Sequence, residues 1–172
     1  MRLDIRQAAC LFSNMDKLPV DSATPERLML GTDEFTILAS SAETGGALCA
    51  IELRMPPGGG PPVMHRHAPG EVYAVSEGEF TFYIGGFGQP ARRITAGPGE
   101  VVALAGGTPH TVRNESDAVA VAFVVHAPGP PMENFSREAA LAATDPDMDA
   151  VLAIAQRHGI ELLGPIPALV DA

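Results

Sequence analysis

The chain has 172 residues, which suits one domain and leaves little room for two. Apolar residues make up 46% and charged residues only 19%, a balance that supports a core and excludes a disordered chain. The formal net charge is −10 and Lys17 is the sole lysine, which excludes nucleic-acid and anionic-membrane partners, since both need a basic face.

Residues 1–25 carry turn chemistry at Pro19 and Pro25. The N-terminus mixes Arg2, Asp4 and Arg6 with its apolar residues, so it lacks the apolar core of a signal peptide. No apolar run approaches the roughly 20 residues that span a bilayer, and a cytoplasmic location is expected. Cys10 and Cys49 read as small buried hydrophobes in a reducing compartment.

From Glu26 onward the chain reads as short strands. Phe35–Ser40 is the first clear run. Ala47–Met55 alternates, with Cys49, Ile51, Leu53 and Met55 on one face and Glu52 and Arg54 on the other. The run Pro56-Pro57-Gly58-Gly59-Gly60-Pro61-Pro62 breaks it. Val63–His67 is extended. Glu71–Ser76 and Glu79–Ile84 read as a hairpin around Glu77-Gly78. A glycine-rich loop follows, then strands over Arg92–Ala96, Glu100–Leu104, His110–Asn114 and Ala118–His126. Some nine short strands separated by turns point to a sandwich or barrel.

After Pro131 the period changes. Met132–Ala143 reads as helical. Asp145-Pro146 reads as an N-cap with proline at the first helical position, and Met148, Val151, Leu152 and Ala155 fall on one helix face. Gly159 is the expected stop and Gly164–Pro167 an extended tail. The helices are expected to pack outside the strands.

His65 and His67 lie two apart on an extended segment, so their imidazoles share a face. Glu71 follows across the Pro69-Gly70 turn, and His110 opens a later strand after Thr108-Pro109. Three neutral nitrogens and one carboxylate suit a single divalent transition metal: Fe, Mn, Ni, Co, Cu or Zn. If six-coordinate, such a centre keeps two positions open. A lone histidine on a strand is more often a plain surface or core residue. His158, near a helix C-terminus, and His126, at a strand end, are read that way, with a place at a barrel mouth the alternative for His126.

The spacing is that of a known pattern. Gly59, five residues, His65-x-His67, three residues, Glu71, six residues and Gly78 resemble the first motif of the cupin family. Gly99, five residues, Ala105-x-Gly107, two residues, His110, three residues and Asn114 resemble the second, with Ala105 where the family usually has proline. That proline is a turn residue, not a ligand. The tail around Asp145-Pro146 and Arg157–Glu161 is similar to that of bacterial single-cupin proteins related to quercetin dioxygenases.

The resemblance implies an all-β double-stranded β-helix, or jelly-roll barrel, with the C-terminal helices outside it. It divides the chain into an N-terminal arm with a strand (1–29), a cupin barrel (30–127) and a helical extension (128–172). It implies a metal held by His65, His67, Glu71 and His110, and frequent assembly as a homodimer.

Strand parity places Val63, Tyr73, Val75, Val112 and Asn114 on the same faces as the ligands, and turns Met64, Arg66 and Arg113 outward. Tyr73 is the candidate substrate-binding residue, since its hydroxyl can hydrogen-bond a ligand. On the following strand the inward set is either Thr81 and Tyr83 or Phe80, Phe82 and Ile84.

The expected function is a metal-dependent, dioxygenase-like oxidoreductase for a small flavonol- or diketone-like molecule. The resemblance makes Glu71 the candidate catalytic proton acceptor. Two alternatives stand: a barrel that binds or senses a small ligand without turnover, and a cupin isomerase or decarboxylase. An acidic substrate for the latter needs an inward cation that the sequence does not place.

Overall fold

The computed structural model describes residues 25–86, 91–142, 148–167 and 169. Cys10, Lys17, the loop at 87–90 and the expected cap Asp145-Pro146 lie outside the described residues.

Among the described residues eleven strands and two helices follow in order: β1 (Arg27–Leu30), β2 (Asp33–Ala39), β3 (Cys49–Met55), β4 (Val63–Arg66), β5 (Gly70–Glu77), β6 (Phe80–Gly85), β7 (Ala91–Ala96), β8 (Val101–Leu104), β9 (His110–Arg113), β10 (Ala120–Ala127), α1 (Pro130–Ala142), α2 (Met148–Arg157) and β11 (Glu161–Pro165). They form two antiparallel sheets, ordered β1-β2-β3-β10-β5-β8 and β11-β4-β9-β6-β7. The alternation read in β3 is real: Cys49, Ile51, Leu53 and Met55 are buried, while Glu52 and Arg54 are exposed.

The two sheets face each other across a core built from Ile51, Leu53, Tyr73, Val75, Phe80, Phe82, Val112 and Val124. Phe80 and Phe82 have no exposed surface, and each contributes on the order of 2–3 kcal/mol by leaving water. Phe80 and Phe82, with Ile84 packed against them, are therefore the inward set on β6. Tyr83 points the other way, and its hydroxyl donates to Glu115 at 2.6 Å.

The expected β5–β6 hairpin is not formed. β5 pairs with β10 and β8, while β6 pairs with β7 and β9 in the other sheet. Gly78 thus marks a corner between sheets. Its φ is +65°, and a Cβ there would lie 2.4 Å from the Val119 carbonyl oxygen. Turn chemistry alone does not separate a hairpin from such a corner, because both need a glycine at positive φ.

The face expected on α2 is also shifted. Leu152 is exposed, and Ile154 and Ala155 are the buried positions. Ala155 packs with Met132 of α1 and with Ile160 just before β11, so these contacts set the face. Only Gly164 and Pro165 of the expected extended tail are strand: β11 starts earlier, at Glu161, and runs along the edge of β4, pairing Leu162 with His65. Met64 is directed away from the ligands yet is fully buried, whereas Arg66 reaches outward to Glu161. Among the described residues no helix is long and apolar enough to cross a membrane.

Candidate metal centre

Two cross-strand pairs build the site, one on each sheet. His65 of β4 stands opposite His110 of β9. Glu71 of β5 stands opposite His126 of β10. Pairs in direct register bring Cβ atoms to about 5 Å, which is why residues far apart in sequence meet here. His67 lies one residue beyond β4 and still points inward, 3% exposed.

The rings of His65 and His110 are 4.5 Å apart, those of His67 and His110 5.2 Å, and those of His65 and His67 5.7 Å. Their ligand nitrogens all lie within 4.8 Å of one another, a spacing that one ion can bridge. The orientation of two rings is fixed from behind. Nδ1 of His67 is 3.0 Å from the Pro69 carbonyl, and Nδ1 of His110 is 2.8 Å from that of Thr108. Each Nδ1 therefore donates to its carbonyl, and when the ring is neutral Nε2 presents its lone pair to the cluster. Those two Nε2 atoms are buried without an aligned hydrogen-bond partner. A buried nitrogen left this way is costly unless something accepts its lone pair, and a cation does so. The residues thus fit a divalent transition metal.

Glu71 adjoins this cluster. Its Oε1 lies 3.0 Å from His67 Nε2 and its Oε2 3.2 Å from His110 Nε2, close to the separation of adjacent ligands on one ion. Both oxygens also have partners behind them. Tyr73 Oη donates to Oε2 at 3.0 Å, and His126 Nε2 is 3.0 Å from Oε1. Burial alone would favour the protonated acid, but His110, His126 and His67 outweigh it and hold the carboxyl well below the usual carboxylate range. Burial and the neighbouring His110 push His65 down to about 4, so its imidazole is neutral at physiological pH. Burial and the Glu71 charge push the Tyr73 phenol well up, so it stays a donor.

The structure therefore brings His65, His67, Glu71 and His110 together, and seats Tyr73 against Glu71. It adds His126, which the strand-end reading leaves aside. Parity with the buried Val124 on the same strand is the sequence signal for it. His158 belongs elsewhere: Nε2 lies 2.7 Å from Glu138 and joins α2 to α1. Asn114 fixes a turn, donating to the Met55 and Ala118 carbonyls.

The site opens into a cavity of about 540 Å³. His65, Glu71, Tyr73 and His126 line one part of it. Much of the rest is apolar, including Ile51, Leu53 and Val112 of the barrel. Helix α1 contributes Met132, Phe135, Ser136 and Ala139, spaced i, i+3, i+4 and i+7. The helices pack outside the strands and supply part of the cavity wall. No lysine or arginine lines the cavity among the described residues. Arg113 directs its guanidinium to the Gly58 and Pro61 carbonyls instead.

Residues 51–126 match the family model described as Cupin domain. No curated protein matches the chain. Among solved structures, a predicted oxalate decarboxylase from Thermotoga maritima is 24% identical, over 60% of this chain and 91% of that one, with a TM-score of 0.51. A sugar phosphate isomerase of the cupin superfamily from Silicibacter pomeroyi is 21% identical, over 63% and 74% of the two chains, with a TM-score of 0.50. Drosophila melanogaster CENP-C bound to CAL1 is 15% identical, over 72% and 100%, with a TM-score of 0.53. At such identities the likeness is one of fold, and the functions named differ. The protein thus has the cupin fold, with the Cupin domain model matching its residues 51–126.

Proposed function

We propose that the protein is a mononuclear metal-dependent oxidoreductase of dioxygenase type, acting on a small organic molecule that presents a flavonol- or diketone-like oxygen pair. The observation that supports this most is the pair of buried Nε2 atoms on His67 and His110, each aimed inward by a backbone carbonyl on Nδ1. His65, His67, His110 and Glu71 would hold the ion. When bound, the metal supplies Lewis acidity and a template that brings an enolate and dioxygen together.

The chain's own residues do the rest. One carboxylate against a divalent ion leaves a net charge of about +1, so a singly deprotonated enol brings the site to neutrality. Glu71 is the nearest acceptor for the proton released. Tyr73 and His126, one on each oxygen, keep its carboxylate oriented between His67 and His110. The field that keeps Glu71 ionised makes it a weak base, which favours its role as anionic ligand over that of proton store. The apolar walls exclude water from the reacting atoms.

The decarboxylase and isomerase activities named for structural neighbours are less well supported. Oxalate and sugar phosphates carry about two negative charges, more than the site's net charge of about +1 offsets, and the described cavity wall adds no lysine or arginine. Elemental analysis of the purified protein, followed by oxygen uptake against flavonols and 1,3-diketones, tests the proposal. We expect one transition metal per chain and uptake with at least one compound, abolished by a chelator. Full metal loading with no uptake on the whole panel would replace it with a ligand-binding or sensing role.

A further inference from the structure

We infer that the cavity takes an uncharged, ring-bearing organic molecule of about eighteen non-hydrogen atoms, and that one face of α1 is the wall that selects it. The inference deepens the proposed function, but depends on the metal only for the polar end of the ligand.

Size comes first. A space of about 540 Å³ at roughly 30 Å³ per water-sized group holds about eighteen such groups. That is far more than a two-carbon acid fills, and lies within the range of cavities that enclose small organic ligands.

Charge comes second. The groups lining the cavity include the carboxylates of Glu71 and Asp33 and no lysine or arginine among the described residues. Asp33 is already engaged, since the Gly60 amide donates to its Oδ2 at 3.0 Å. An anionic substituent away from the metal would lose its hydration, gain no lysine or arginine from the described wall and face like charges. A neutral body loses nothing comparable.

The wall comes third. Ser136, the polar residue on the α1 face, donates its hydroxyl to the Met132 carbonyl at 2.9 Å, so its proton is not free for a ligand. Met132, Phe135 and Ala139 of α1 face the cavity, with Ile160 and Leu162 beside them. Ala139 is the position where the small side chain itself leaves room. A larger residue there projects into the cavity from α1, a helix that carries none of the candidate ligands.

Two fluorescent probes with the same ring body separate the possibilities. N-phenyl-1-naphthylamine is neutral, and 8-anilino-1-naphthalenesulfonate carries an added anion. Both are titrated into the full chain, metal-loaded and metal-stripped. The neutral probe should bind once per chain, with a dissociation constant on the order of micromolar, in both forms. The sulfonate should bind at least tenfold more weakly. Ala139→Phe should weaken the neutral probe at least tenfold, with circular dichroism and metal content unchanged. If that variant does not fold, Ala139→Leu carries the same expectation. Equal or tighter binding of the sulfonate, undiminished binding to the folded variant, or no saturable binding by wild type would each overturn the inference. A protein that takes no metal yet shows both probe effects would sink the proposed oxidoreductase and leave this inference intact.

Discussion

Glu71, only 3% exposed, keeps its charge because His67, His110, His126 and Tyr73 surround it. Of these, His126 touches Glu71 but lies outside the cluster of three imidazoles that could share an ion. Its effect on a metal therefore passes through the carboxylate it orients. Replacing such an orienting partner commonly costs 10–100-fold in metal affinity. We expect His126→Gln to lower affinity by about that factor, and His65→Ala or His110→Ala to lower it further, read as metal retained per chain against a competing chelator. Wild-type retention in His126→Gln would remove it from the site. The residues carrying the motif were legible in the sequence because their separations along the chain are short and fixed. His126 was legible only as an alternative, a place at the barrel mouth, because the Glu71–His126 contact depends on β10 pairing with β5 in one register, a contact between residues 55 positions apart.

At the scale of elements, strand positions were legible and strand partners were not. Alternation marks a strand wherever one face is buried, but says nothing of which sheet receives it. The corner at Gly78 shows the consequence. Ala at this position would meet Val119 and Ala120 backbone atoms at 2.4 and 2.7 Å while holding a left-handed φ. Left-handed backbone costs a non-glycine residue about 1–2 kcal/mol, and steric overlap adds about 1–3. Gly78→Ala should therefore lose at least about 2 kcal/mol in denaturant unfolding; a loss below 1 would mean that the corner can relax.

Helix α1 is held to the barrel by a buried charge. Glu133, 2% exposed, accepts the Ser41 amide at 2.5 Å and pairs with Arg137, which also grips Glu26. Burial opposes ionisation of Glu133, but Ser41 and Arg137 prevail and hold its pKa below the ordinary carboxylate value. A carboxyl depressed in the folded state adds stability that is fully present above its unfolded value, near 4.5, and is lost as the pH falls through the folded value. Glu133→Gln should cost about 1.5–3 kcal/mol at neutral pH and flatten the decline in stability between about pH 5 and 3. An unchanged acid limb would show that the pair does not anchor the helix.

At the largest scale, the described residues form a two-sheeted barrel whose cavity is walled in part by its own C-terminal segment. The barrel followed from the count of short strands and from the motif spacing. The use of the tail did not, since β11 joins β4 across nearly a hundred residues and only then does Leu162 stand beside His65. A metal that binds only the folded chain should stabilise all of it together. At a hundredfold excess over the dissociation constant the gain is about 2.7 kcal/mol, or about 5–10 °C in Tm at this size, reversed by a chelator.

Anomalous X-ray scattering from crystals of the metal-loaded protein tests the central claim most directly. One peak should appear per chain, about 2.0–2.2 Å from a ring nitrogen of each of His65, His67 and His110 and beside the Glu71 carboxylate. A peak bound elsewhere, or none at full loading, would contradict it.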